Sequence, residues 1–299
     1  MLYRGAIGTC APLCALICRL LGVAHLGVLG FGLSPAAAFD DAQYPAFNGK
    51  WNRLPFPGAP RTPQPTYDPR KGWAEAQQAP LTAEYTAIFK ANEKDQAEGG
   101  AGTTRGYTCR TGGMPLIMTL FQPMEMVVLP DTTYVLIDRS NIQRRIFTDG
   151  RDWPKEIEPA YSGYSIGRWL DTQGSGHYDT LLVETRAFRG PRTYDASGLP
   201  LAFDEQSIIF ERLSLDAANR NVMHNEITVI DHGLTRPWTV MKDYRRDPGN
   251  PPVFQEEVCA EGNPWVQIGD EAYMRSANDE LMPAKKDQPP PDLRYFNRP

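Results

Sequence analysis

The sequence predicts a mainly β protein: an antiparallel β-barrel or barrel-like meander, preceded by one short helix and a proline-rich arm. Three observations point there. From Met124 onward, short runs rich in β-branched and aromatic residues follow one another, each bounded by Gly, Pro, Asn or Asp. The runs are joined by short polar turns, which favours antiparallel neighbours that close on themselves and so remove their edges. Nothing between them is long and periodic enough for a crossover helix, which disfavours a parallel α/β sheet.

Taken in order, residues 1–38 read as a signal peptide. Arg4 and Arg19 precede the apolar run LLGVAHLGVLGFGL (Leu20 to Leu33), and Ala36 and Ala38 form an A-x-A site before Phe39. The run is short for a membrane span, which needs about 20 residues. The long charged region before it leaves an uncleaved anchor as the alternative. No later stretch is apolar enough to span a bilayer as a helix.

Residues 39–100 hold the arm and the helix. Proline density in YPAFNGKWNRLPFPGAPRTPQPTYDP opposes both helix and central strand. An extended arm packing Phe47, Trp51, Phe56 and Tyr67 over the domain is therefore expected. In PLTAEYTAIFKANEKDQAEGG, Thr82 can cap a helix and Glu84 sits in its first turn. Leu81, Tyr85, Ile88 and Phe89 recur at helical spacing, and Gly99–Gly100 stops it.

Residues 101–299 carry the barrel. MEMVVLPDTTYVLI reads as two strands about a Pro-Asp turn. RRIFTD, DTLLVETRAF, QSIIFERLSLD, EITVID, PWTVMKDYRR and PVFQEEVC follow as further strands. The tail PAKKDQPPPDLRYFNRP reads as a polyproline-like strap or a disordered end.

Charge and cysteine usage bound the function. The chain has 31 basic and 36 acidic residues, a net charge of −5; without the two leader arginines this becomes −7. Such a surface disfavours nucleic acid and anionic membranes as partners. Beyond the leader only Cys109 and Cys259 remain, which in an oxidising compartment suggests one disulfide closing about 150 residues, with two separate thiols as the alternative. Their spacing is not that of a zinc site, and no metal or cofactor is expected.

Several residues could carry chemistry. GYSIG (Gly163 to Gly167) fits the G-x-S-x-G pattern of a nucleophile elbow, which needs a strand before the serine and a helix after it. Pro154 and Pro159 break the approach, and no helical stripe follows. A glycine-bordered bend carrying a surface Ser165 is the favoured reading, and a serine hydrolase the disfavoured one. FTDGRDWP sets Arg151 between Asp149 and Asp152, either to orient an anion or to close a turn. His177, in the polar loop GSGHYDT beside Asp179, is the leading acid–base candidate. Glu211 follows Ile209 on one face of its strand and Arg212 follows Phe210 on the other, so one face or the other brings a glutamate or an arginine close to the interior. Both faces of that sheet look nearly equally apolar, as if covered on both sides. Trp153, Trp169 and Trp238 are candidates for contact with a ligand.

Taken together, CRTGGMP, RRIFTDGR, GYSIGRW, DTLLVETR, IIFERL and TRPWTV resemble an uncharacterised family of exported bacterial proteins, from about Cys109 to the C-terminus. That likeness implies export and a single domain. The G-x-W segments Gly49–Trp51 and Gly167–Trp169 are similar to the motif with which lipocalin-type barrels pack a tryptophan across the floor beneath a late-strand arginine. The expected function is an exported pocket protein for a small apolar or aromatic molecule. An enzyme with acid–base residues at the barrel rim is the alternative. A structural role, with self-association through arm and tail, is the third reading.

Overall fold

The computed structural model describes residues 40–54, 79–100, 102, 109, 112–119, 122–138, 142–190, 206–249, 258–259, 263–269, 271–292 and 294. The signal peptide, Phe56 and Tyr67, the body of the expected strand in PVFQEEVC, and the end of the tail lie outside them.

Nine strands close into a barrel: β1 (Gly49–Arg53), β2 (Met124–Val128), β3 (Thr132–Ile137), β4 (Ile142–Phe147), β5 (Tyr164–Leu170), β6 (Thr180–Arg186), β7 (Ile208–Leu215), β8 (Val222–Ile230) and β9 (Trp238–Arg246). Each pairs with the next in sequence, antiparallel except at one junction. Closure comes from β1, where Trp51 faces Arg246 and Arg53 faces Tyr244 of β9. The exception is β4 with β5, which run parallel over only two pairs, Ile146 with Ser165 and Phe147 with Ile166.

The Gly49–Arg53 segment, expected within the extended arm, is instead the first barrel strand. Trp51 is completely buried. The prolines that discourage a strand lie on either side of GKWNR, not inside it, so the ladder is unbroken there. GYSIG, expected as a bend, instead runs from Gly163 into strand β5 (Tyr164–Leu170). The expected helix is α1 (Ala83–Ala97), with the Thr82 hydroxyl accepting from the Tyr85 N–H. Leu81, just before α1, bridges to Leu234 in the β8–β9 connection, and Phe89 joins the core.

A separate antiparallel sheet, β10 (Trp265–Ile268), β11 (Glu271–Arg275) and β12 (Leu281–Pro283), follows the barrel. Lys285 ties this segment to α1 through Asp95, with Glu271 3.6 Å away. Cys109 and Cys259 are disulfide-bonded, their Cα atoms 5.5 Å apart and 150 residues apart in sequence. A crosslink over a loop this long stabilises by about 5 kcal/mol in the chain-entropy picture, and natural bridges commonly deliver roughly 2–4.

No helix among the described residues is long and apolar enough to cross a membrane.

Candidate functional site in the barrel interior

Strand alternation fixes what faces inward. Along β7, Ile209, Glu211, Leu213 and Leu215 are buried while Phe210 and Arg212 are exposed; along β8, Met223, Asn225, Ile227 and Val229 are buried. The inward set is otherwise dominated by aliphatic, methionine and tryptophan side chains, with the buried Lys242 of β9, opposite Asn225 in register, as an exception. Into this apolar volume five consecutive strands project one connected polar group: Arg144 (β4), Ser165 (β5), Thr185 (β6), Glu211 (β7) and Asn225 (β8).

The geometry centres on the Glu211 carboxylate. One oxygen accepts from Arg144 Nη2, and the other accepts from Asn225 Nδ2 at 2.9 Å. Arg144 Nη2 also donates to Thr185 Oγ1 at 2.9 Å, and its Nε donates to Ser165 Oγ at 3.2 Å. The two hydroxyls lie 2.9 Å apart. The Arg144 and Glu211 side chains are 1% and 0% exposed, so bulk solvent does not screen their charges. A buried pair is costly unless its remaining donors and acceptors are met. Two are not: Arg144 Nη1 and Asn225 Oδ1 are buried without a hydrogen-bond partner. One is a donor and the other an acceptor, and both flank the same carboxylate.

Tyr244 lies alongside. Burial pushes its phenol well above its ordinary value, with Arg53 pulling the other way and Glu211 adding to the rise. It therefore stays neutral, donating to the Met118 carbonyl.

The two barrel ends are closed differently. At one, Trp51 Nε1 donates to the Phe47 carbonyl at 2.8 Å, and the Arg246 guanidinium sits 4.3 Å from the Trp51 ring centroid. Arg246 also donates to the carbonyls of Asn48 (2.8 Å) and Ala46, locking the entering chain across the floor. Phe47, Tyr44 and Tyr178 pack around Trp169 at the same end. At the other, the segment Gly112–Thr119 forms a plug. Met114, Ile117 and Met118 are at most 3% exposed, the Thr119 carbonyl accepts from Arg53, and the Met114 N–H donates to the Tyr161 carbonyl at 2.9 Å.

The residues singled out from sequence divide accordingly. Glu211 is central to the interior, and Trp169 and Trp238 line the core. Ser165 is inward and 1% exposed, not on the surface. Its hydroxyl meets Arg144 and Thr185, and no histidine or carboxylate bonds to it among the described residues. The glycines of GYSIG have a packing reason instead. Gly163 adopts φ +66°, and a Cβ on Gly167 would stand 2.6 Å from Ile146 Cγ2 at the parallel junction.

Asp149 and Arg151 pair with each other outside the barrel, at 2.9 Å through Nε, beneath a stacking contact of Arg151 on Phe147. The Arg151 hydrogen bond holds the Asp149 carboxyl down at about 2. This is a turn clamp, since the pair satisfies itself in solvent. His177 is exposed, its Nδ1 3.2 Å from the Ala42 carbonyl, while Asp179 bonds to Thr172 rather than to it. Trp153 lies on the outer face. None of these joins Glu211. The outer sheet face is also less covered than its apolar sequence suggested, with Phe210 40% exposed.

Arg144, Thr185, Asn225 and Tyr244 were not singled out, although the signal was present. Arg144 shares strand parity with Ile142 and Ile146, and Asn225 with Met223 and Ile227.

One histidine outside the interior is strongly engaged. His224 Nδ1 lies 2.7 Å from Asp243 and Nε2 lies 3.1 Å from Asp216, tying β8 to β9 and to the turn that follows β7. Partial burial opposes its charge, but the two carboxylates outweigh it and raise the histidine pKa. A raised folded-state pKa stabilises fully below the unfolded value of about 6.5 and is lost as pH rises through the folded value. Urea midpoints should therefore fall as pH rises above about 6.5, and His224→Gln should flatten that decline. An equal decline in the variant would assign the effect elsewhere. Among the described residues no group of three or more potential metal ligands occurs.

No protein-family model matches the chain, and no curated protein matches it either.

Proposed function

We propose that this chain is an exported carrier whose barrel interior receives a small, largely apolar molecule with one neutral polar head. The observation that supports it is the pair of buried, unpartnered atoms beside Glu211, the donor Arg144 Nη1 and the acceptor Asn225 Oδ1. Leaving such groups unmet costs about 1–3 kcal/mol each, and a ligand that meets both recovers that free energy. A hydroxyl or amide does so because it accepts and donates at once. A carboxylate only accepts, so it would leave Asn225 Oδ1 unmet. The buried aromatic and methionine side chains of the core supply the apolar contact.

The floor agrees with a lipocalin-like reading. A G-x-W tryptophan on the first strand lies beneath an arginine of the last, with a 3-10 turn (Asp41–Gln43) preceding them. In this reading the Gly112–Thr119 plug is the gate. Export is supported by the leader pattern and the disulfide, since oxidising compartments preserve such bonds.

The test is a titration with 1-decanol, decanoate and decane, read by intrinsic tryptophan fluorescence. Decanol should shift the emission and bind about tenfold more tightly than either analogue, and Asn225→Leu should remove that preference. No response to any of the three, or equal affinities in the parent protein, would contradict the reading.

A further inference from the structure

The outer face of β5–β8 holds a groove of about 600 Å³ that is separate from the interior. Register arranges its floor in two rows. One runs Arg168, Leu182, Arg212, Glu226 across the four strands, and the other runs Ile166, Glu184, Phe210, Thr228. The loop between β4 and β5 raises Trp153 as a wall. That ring is held by Arg186, whose guanidinium stacks 4.5 Å from its centroid while pairing with Glu184.

The charges in the groove do not cancel. Arg186 compensates Glu184, leaving Arg168 and Arg212 against Glu226. Arg168 and Arg212 are exposed and make no ion pair or hydrogen bond among the described residues, and Glu226 faces Arg212 across the strands without a salt bridge. One positive charge is therefore in excess. The two arginines flank Leu182 on alternate strands, so their backbones stand roughly 10 Å apart at about 4.8 Å per strand, within reach of one anionic group. Between them and Trp153 lies an apolar floor of Ile166, Leu182 and Phe210. A 40% exposed phenylalanine in such a trough is a surface with something to cover it.

We propose that this groove is a second binding site, for a flat aromatic molecule carrying a single carboxylate. Its ring lies between Trp153 and Phe210. Its carboxylate is taken by Arg168 and Arg212, whose planar forks match carboxylate geometry. The single negative charge matches the excess in the groove, and the open trough suits a rigid ring better than a flexible chain, which would have to give up its rotamer freedom. The site does not depend on what the interior holds.

The experiment is isothermal titration of the full chain with indole-3-acetate and with its neutral analogue indole-3-acetamide. Arg168→Gln, Arg212→Gln, Phe210→Ala and Asn225→Leu are compared with the parent after circular dichroism has verified their fold. The acetate should bind once per chain and more tightly than the amide. Each arginine variant should weaken it by about tenfold or more, and added salt should weaken it further. Asn225→Leu should leave it unchanged, because that residue faces the interior. Absence of binding, equal affinity for acetate and amide, or parental affinity in both arginine variants would overturn the proposal. So would a loss confined to Asn225→Leu, which would place the ligand inside the barrel.

Discussion

Glu211→Ala is expected to destabilise the barrel by about 3–5 kcal/mol, the range for breaking a buried ion pair by removing one partner. The physical reason is what remains. Arg144 keeps its charge at 1% side-chain exposure, with only the Ser165 and Thr185 hydroxyls to meet it, and Asn225 Nδ2 loses its acceptor. The complementary change is the sharper half of the prediction. Replacing both charges with apolar groups of similar volume, as in Arg144→Met with Glu211→Leu, should recover most of the loss, because neither desolvated charge is then stranded. A urea-denaturation cycle on the two single variants and the double measures this coupling. Additive losses would mean that the two side chains do not act as a pair.

Trp51→Ala carries the second large effect, about 3–5 kcal/mol, the range for truncating a buried tryptophan. Trp51 is fully buried, donates to the Phe47 carbonyl, and supports the Arg246 guanidinium on its ring. Removing it leaves a cavity in the floor and deprives Arg246 of its stacking surface, although the arginine keeps its carbonyl partners at Ala46 and Asn48. Trp51→Phe should be milder, losing chiefly the hydrogen bond, about 1 kcal/mol. Thermal or urea midpoints of the two variants provide the check. A Trp51→Ala loss below about 1 kcal/mol would show that the floor tryptophan is not the keystone of closure.

Much of this barrel is legible in the amino-acid pattern, and the gaps have physical causes. Strands β2, β3, β4 and β6–β9 announce themselves through β-branched and aromatic runs between turn residues. β1 is hidden because GKWNR stands among prolines, and only its pairing with both β2 and β9 reveals that it closes the barrel. β5 is hidden because its inward positions are Ser165, Gly167 and Trp169, a small, polar and mixed set with no run of aliphatics. The small size of Ser165 and Gly167 is what lets β4 approach, as the Gly167–Ile146 contact shows.

The interior polar group was half legible. Alternation leaves either Glu211 or Arg212 for the interior, and the strand places Glu211 there, whereas Arg144 is obscured by Arg145 beside it, since an Arg–Arg pair reads as solvated surface unless parity is followed along the strand. The plug could not be found by periodicity at all. GGMPLIMT has neither a two-residue nor a helical repeat, and its burial comes from filling a barrel end, a property of tertiary structure. Ser165 shows the opposite hazard, a five-residue pattern that matches a catalytic motif while its glycines serve packing.

In the proposed carrier, a ligand's polar head completes the hydrogen bonding of Arg144 and Asn225 inside the barrel. Side-chain nitrogen NMR during a decanol titration tests it most directly. Saturable shifts of the Arg144 Nε–H and Asn225 Nδ2–H resonances are expected at the concentration that moves tryptophan emission. Shifts confined to outer-face residues, with both interior signals unmoved at saturation, would contradict it.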